Sequence, residues 1–255
     1  MICEGEIKGV ITKRWSARAR SYDCSPGHGI HSEVEKQTWL KILAGALDKK
    51  KNLKILDAGT GTGALALLLA EMGHDVFGID LSDQMLKRAG EKAKAKDLQV
   101  TFKVGDAENP PFAPKSFDAI VSRHVLWTLP NPEKAVRAWK ELLKPGGHLV
   151  IIDGNFKYMT QKTLFQEAWR FLAMPLVVVT EFRDPRMPGK DLDEKLPMRH
   201  RERPEADLEM LRDVGFKADV SKVSLQRKLS PLRYLKYGYS RHSEHQFVVK
   251  GVKPV

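Results

Sequence analysis

Ile55-Leu56-Asp57-Ala58-Gly59-Thr60-Gly61-Thr62-Gly63 decides how the rest of the chain reads. Ahead of it, apolar Leu53 to Leu56 predicts a short buried strand. Behind it, Ala64 to Met72 is rich in alanine and leucine, contains no breaker and predicts a helix. Glycines between a strand and a helix let the backbone turn tightly and let a ligand approach where a Cβ would obstruct it. The unpaired N–H groups at the start of the helix then face a negatively charged group.

A glycine turn alone occurs in many folds, so the flanking pattern carries weight. Val76-Phe77-Gly78-Ile79-Asp80 is a second apolar strand ending in an acid, 17 residues beyond Gly63 and 21 beyond Gly59. A Rossmann-type unit places a carboxylate for ribose hydroxyls at that distance. A third strand, Val100 to Val104, runs into Gly105-Asp106-Ala107. Three successive strands therefore end in Asp57, Asp80 and Asp106. Further strands near 117–122 and 148–153 alternate with helices near 63–72, 82–96 and 132–143, which predicts a parallel sheet with helices on both faces. Ligands of such sheets sit beyond the carboxyl ends of the strands, where the acids and Arg123 lie.

These motifs resemble those of the class I S-adenosylmethionine-dependent methyltransferases, and most of all the small-molecule branch with the ubiquinone/menaquinone C-methyltransferases. The matching text is DAGTGTG at 57–63, GIDLSDQML at 78–86, GDAENPPF at 105–112, FDAIVSRHVLWTLPNPEKA at 117–135 and LLKPGGHLVIID at 142–153. The resemblance covers roughly residues 35–155. It implies a Rossmann-like, doubly wound seven-stranded sheet, mostly parallel with an antiparallel last strand, plus a helical cap. The implied division is a lid segment at 1–34, a cofactor core at 35–155, an inserted cap at 156–203 and completion of the sheet at 204–255.

The resemblance also assigns roles. Asp57 helps hold the methionine ammonium of S-adenosylmethionine, and Gly59, Thr60, Gly61 and Gly63 let the backbone approach it. Asp80 takes both ribose hydroxyls, Leu81 and Met85 pack near the adenine, and Asp106 with the Ala107 N–H meets its edge. Tyr22 closes over the cofactor. Arg123, at the end of the fourth strand, faces cofactor and acceptor together, and His124 beside it is the candidate base. Trp15, His28, His31, Trp127, Tyr158 and Trp169 are candidate acceptor contacts. Cys24, His28 and His31 have spacings that a metal accepts, but the usual paired cysteines and a fourth ligand are missing, so no metal is expected.

The chain has 255 residues, 42% of them hydrophobic, which is ample for one large α/β domain with a cap. No apolar run is long enough to cross a bilayer, since Phe171 to Val179 is short and holds Pro175. The two cysteines make no disulfide framework and no signal peptide is visible, which predicts a cytoplasmic protein. Lys and Arg number 43 against 32 Asp and Glu, a formal charge of +11. Basic clusters stand at Lys13, Arg14, Arg18 and Arg20 and, with no acid among them, from Arg227 to Arg241. The excess fits an anionic or zwitterionic small acceptor near Arg123, an RNA substrate, or a solvated surface. No RNA-binding appendage is apparent, and G-x-G-x-G behind an acid departs from the G-x-G-x-x-G of dinucleotide dehydrogenases. A cofactor-binding protein without turnover is the remaining alternative.

Outside the core the signals thin. Ser32 predicts an N-cap, with Glu35 completing a capping box. Residues 1–12 show no firm period. Phe156 to Phe171 is helix-like, Pro204 to Val214 predicts a helix stopped by Gly215, and Lys217–Leu225 and His245–Lys250 predict the last two strands.

Overall fold

The computed structural model describes residues 4–25, 27–155, 163–181, 195–223, 230–238 and 246–255. Helices α1 (Glu4–Arg18) and α2 (Glu33–Ala46) precede the sheet. Then come β1 (Lys54–Ala58), α3 (Ala64–Glu71), β2 (Asp75–Asp80), α4 (Asp83–Ala95), β3 (Thr101–Val104), β4 (Phe117–Arg123), α5 (Pro132–Leu142) and β5 (Leu143–Gly154). The chain ends with α6 (Leu164–Glu181), α7 (Glu205–Asp213), β6 (Lys217–Lys222), α8 (Pro231–Tyr237) and β7 (Gln246–Val252).

The seven strands form one sheet in the order β3-β2-β1-β4-β5-β7-β6. The first five are parallel, and β7 runs antiparallel between β5 and β6. From β1 the chain winds outward through β2 to β3, then crosses back to β4 and winds the other way. The crevice between the ends of β1 and β4 is thus the switch point, where doubly wound sheets bind ligands.

Alternation along the strands supplies two apolar layers. Leu56 and Ile120 point into one with Trp139 and Leu211, while Ile55, Ala119 and Val121 point into the other with Trp39, Leu43 and Leu69. All ten are fully buried, and each large apolar side chain so buried contributes about 1.5–3 kcal/mol. Ser32 caps α2, accepting from the Glu35 N–H at 3.1 Å. The Glu35 carboxylate reaches back to accept from the His31 N–H at 3.1 Å.

Three helices depart from the sequence reading. The stretch without a firm period begins α1, whose inward side sets Ile7, Ile11 and Trp15, packed with Leu196, beside a buried Arg14. The helix expected over 156–171 is α6, which starts at Leu164 and continues through Pro175 to Glu181; residues 156–162 lie outside the described ones. In the basic cluster, Ser230-Pro231 opens α8, a Pro-at-N1 start. α8 packs on α6: the Trp169 indole N–H donates to the Leu235 carbonyl at 2.9 Å, and its ring meets Tyr234 edge-on at 5.2 Å.

Candidate functional site

The glycine turn is clamped to the neighbouring strand, because the Gly59 and Thr60 N–H groups both donate to the Ile79 carbonyl at 2.9 and 2.8 Å. Gly59, Gly61 and Gly63 have φ of +74°, +55° and +80°, the left-handed region where a Cβ is strained. At Gly59 a Cβ would stand 2.3 Å from the Val125 Cγ2. Gly59→Ala is therefore expected to destabilise the fold by about 2–4 kcal/mol, from strain and overpacking together. Urea unfolding of the variant measures this; an unchanged midpoint would mean that the turn relaxes freely.

Asp57 accepts from the Thr60 hydroxyl at 2.6 Å and the Ala66 N–H at 3.1 Å. Burial lifts its carboxyl to about 6 despite those bonds. Asp80 receives the Gly61 and Ser82 N–H groups, one on each oxygen, both at 2.9 Å. Burial also raises its pKa, opposed by the two bonds. A carboxylate has about four acceptor sites, so two backbone donors leave capacity for two more. Asp106 receives the Glu108 N–H at 2.9 Å and the Lys8 ammonium at 2.8 Å.

Lys8 belongs to α1 and pins that helix over the strand ends. Its Nζ lies 2.8 Å from Asp106, 2.7 Å from Glu108 and 2.5 Å from Glu4. Burial opposes the charge on Lys8, and the three carboxylates overrule it and hold its pKa above the usual lysine value. Further along α1, Ser16 and Ser82 share a hydrogen bond of 2.8 Å, and Trp15 packs edge-on against Tyr22 at 5.7 Å. Between α1 and the strand ends lies a cleft of about 690 Å³, open solvent at its mouth included. Lys8, Trp15, Tyr22, Asp80, Met85 and Asp106 are among its walls, with Gly59, Gly61, Leu81, Ala107, Arg123 and His124. A second hollow of about 300 Å³ shares Tyr22, Gly59, Arg123 and His124 and reaches Asp57, Thr60 and His28.

Where the two hollows meet, Arg123 and His124 follow the end of β4. The Arg123 guanidinium donates to the Gly27 carbonyl and lies 4.7 Å over the Trp39 ring, which ties the lid loop to α2. His124 has φ +59°, its N–H held by the Ile152 carbonyl at 3.0 Å. A non-glycine residue kept in that region is strain that the surroundings enforce. Its Nδ1 lies 3.1 Å from Asp153 Oδ1. Burial works against ionisation of Asp153, but Arg203 at 2.8 Å and His124 outweigh it and hold the pKa below the usual carboxylate value. Arg203 is itself buried and pairs with Asp207 at 2.5 Å. An ionised Asp153 only accepts, so Nδ1 carries the proton and Nε2 is the acceptor nitrogen.

Comparison with known proteins bears on this geometry. Residues 56–151 match the family described as a methyltransferase domain. A demethylmenaquinone methyltransferase of Paenarthrobacter aurescens is 35% identical over 135 residues, 51% of this chain and 52% of the relative. The ubiquinone/menaquinone biosynthesis C-methyltransferase UbiE of Rhizobium rhizogenes is 28% identical over 182 residues, 68% of this chain and 69% of the relative. Over its central part, residues 56–151, the chain is similar to the class I S-adenosylmethionine-dependent methyltransferases. The matched stretch spans about half of the first relative and about two thirds of the second. Among solved structures, the Haemonchus contortus phosphoethanolamine N-methyltransferase 2, in complex with phosphomonomethylethanolamine and S-adenosylhomocysteine, superposes with a TM-score of 0.67 at 21% identity. It covers 98% of this chain and 61% of its own, and shares the fold.

S-adenosylmethionine, whose demethylated product that Haemonchus structure holds, is the molecule to set against the cleft. The cleft suits that molecule in chemistry, with an acid at a strand end for hydroxyls and a glycine turn without side chains.

The structure places the other predicted residues less evenly. Tyr22 and His28 lie tilted at 44° with ring centroids 4.4 Å apart, and His28 meets His124 edge-on at 5.8 Å; Tyr22 lines both hollows and His28 the second. Gly63 begins α3, where a Cβ would be 3.0 Å from Ala89 Cβ; it serves helix packing. His31 is exposed and lines a different groove with Asp23, Lys36 and Lys92. Trp127 is buried between Trp15 and Arg199, at 6.0 and 5.0 Å, and is not among the residues lining either hollow. Trp169 belongs to the α6–α8 pair and likewise lines neither. Tyr158 lies outside the described residues. Sequence reasoning missed Lys8 and Asp153. Glu4 and Lys8 stand one helical turn apart, a signal for Lys8, and Asp153 ends a strand as Asp57 and Asp80 do.

Proposed function

We propose that the chain moves a methyl group from S-adenosylmethionine to a small molecule whose hydroxyl or C–H proton is removed by His124. The observation that carries this reading is the His124–Asp153 pair at the junction of the two hollows. Bound there, the cofactor supplies a methyl already activated by its sulfonium charge. The chain's own residues then have three tasks: to orient, to exclude water and to hold a proton. Asp80 holds the ribose, Asp57 faces the methionine ammonium, and Leu81, Met85 and Ala107 enclose the adenine. α1, Tyr22 and His28 cover the reacting atoms. His124 Nε2 takes the acceptor's proton while Asp153 keeps the imidazole in the required tautomer. Arg123 supports the anion that forms, which gives an anionic or zwitterionic acceptor a chemical reason.

The printed names of the relatives supply the first acceptor class to try, a hydroquinone. Radiolabelled methyl from S-adenosylmethionine should appear on a short-chain hydroquinone and not on tRNA. Transfer to tRNA, with affinity falling steeply in salt, would favour the second reading, to which the charge of +11 lends its only support.

Asp57 gives this reading a pH signature. Its carboxyl, lifted to about 6 by burial, is neutral below that pH. A cofactor ammonium beside it favours the carboxylate and lowers the pKa in the complex. Binding then releases a proton, so affinity is full above about 6 and declines as pH falls through that value. Calorimetry with S-adenosylhomocysteine across pH 5–8, roughly the range in which carboxylate-linked binding changes, reads both the decline and the proton. A flat profile would remove Asp57 from the ammonium.

A further inference from the structure

Behind His124 a chain of buried charges runs into the protein. His124 Nδ1 meets Asp153 Oδ1 at 3.1 Å, and Asp153 Oδ2 accepts from Arg203 Nη1 at 2.8 Å. Arg203 turns the rest of its guanidinium to Asp207, with Nε on Oδ2 at 2.7 Å and Nη2 on Oδ1 at 2.5 Å. Both Asp207 oxygens therefore accept, so the group is a carboxylate. The Asp153, Arg203 and Asp207 side chains are no more than 1% exposed. Two carboxylates and one guanidinium leave one negative charge over, which an imidazolium at His124 cancels. An Arg203–Asp153 pair alone would already be neutral and would offer a protonated His124 nothing. Asp207 changes that balance: it takes two of the Arg203 N–H groups and leaves Asp153 with charge to share with the imidazole.

The chain is fixed as well as charged. The Gly154 N–H donates to Asp153 Oδ1 at 2.9 Å. Asn155 Nδ2 donates to the Arg203 carbonyl at 2.6 Å, and the guanidinium lies 5.4 Å from the Phe247 ring of β7. Asp207 stands one helical turn after Arg203, on α7. The other titratable groups around His124 stand on the ligand side. Arg123 adjoins it, His28 meets it edge-on at 5.8 Å, and Tyr22 and Asp57 share the second hollow. Asp80 and the paired Lys8 and Asp106 line the cleft, and from β7 comes only the uncharged Gln246 amide, 3.5 Å from Nε2. Among the described residues, none of these pairs with Asp153. We infer that Arg203 and Asp207 are positioning residues for His124: through Asp153 they hold its ring and set how readily it takes a proton. As a device of the reaction, this rests on the reading of His124 as the base.

The test follows the titration of the imidazole itself, by NMR of the full chain with ring-labelled histidine. The chain has eight histidines, and the signal missing from His124→Ala is that of His124. Asp207→Asn keeps the shape and removes one anion, so the His124 midpoint should fall by about one pH unit. The double variant Arg203→Met, Asp207→Leu puts apolar side chains in place of the buried pair, a change such sites often tolerate. It leaves Asp153 with the imidazole as its one cationic partner, so the midpoint should rise by about the same amount. Loosened packing alone gives no reason for shifts of opposite sign. Should Asp207→Asn melt too low to be measured, the double variant decides alone. A midpoint equal in parent and folded variants, a shift of the same sign in both, or an imidazole that takes up no proton in any of them overturns the inference. The titration needs no turnover, so its outcome is separate from the activity of His124→Ala, which decides the proposed chemistry.

Discussion

Asp80→Ala lowers the affinity for S-adenosylhomocysteine by about 2–4 kcal/mol, roughly 30- to 1,000-fold in dissociation constant. The side chain is a charged acceptor at the end of β2, held by the Gly61 and Ser82 N–H groups at 2.9 Å on either oxygen. Those donors fix its direction, so the remaining acceptor sites are aimed before any ligand arrives, and charge-assisted bonds from two hydroxyls are strong. The substitution also releases the Gly61 N–H, so part of the loss comes from a loosened turn. A thermal melt separates the two: a small shift in midpoint with a large loss of affinity assigns the effect to the ligand. Equal affinity in variant and parent would leave Asp80 as an acid that only anchors the turn.

His124→Ala lowers kcat by about 100- to 10,000-fold, the range that a positioned general base supplies. Cofactor affinity should stay within about threefold, under 1 kcal/mol, because the imidazole meets the acceptor side of the cleft. Added imidazole should restore part of the rate to this variant. Asp153→Asn should also lose turnover, and imidazole should not rescue it, because its own ring is present and misdirected. Asp153 also neutralises the buried Arg203 at 2.8 Å, and breaking a buried pair is destabilising by about 3–5 kcal/mol. The asparagine variant must therefore be assayed at a temperature where its melt shows it folded. Full turnover in His124→Ala would mean that acceptors ionise without help, and Asp153 would then serve the fold alone.

The parts of the chain that could be read without a structure are those whose sequence pattern is local. The Asp57–Gly63 turn, the two-residue alternation at Ile55 and Leu56, and the acid ending β2 each fix a conformation within a few residues. The bonds of Lys8 to Asp106 and of Asp153 to His124 could not be read that way, because those partners are 98 and 29 residues away in the chain. α1 is held both by charge, through Lys8 on Asp106 and Glu108, and by a short apolar row of Ile7, Ile11 and Trp15 on Leu196, a partner far along the chain. Trp127 and Trp169 show the converse: an aromatic side chain beside a motif is as well suited to packing as to a ligand, and here Trp15, Arg199 and Leu235 claim them. Arg123 was legible in place but not in partners, since the Gly27 carbonyl and the Trp39 face are reached only when the lid loop folds over β4.

A crystal structure of the complex with S-adenosylhomocysteine is the most direct measurement. It should show both ribose hydroxyls on Asp80, the adenine between Met85 and Ala107, and the sulfur opening toward Arg123 and His124. Ribose hydroxyls bonded elsewhere, or a sulfur turned away from His124 toward solvent, would contradict the site.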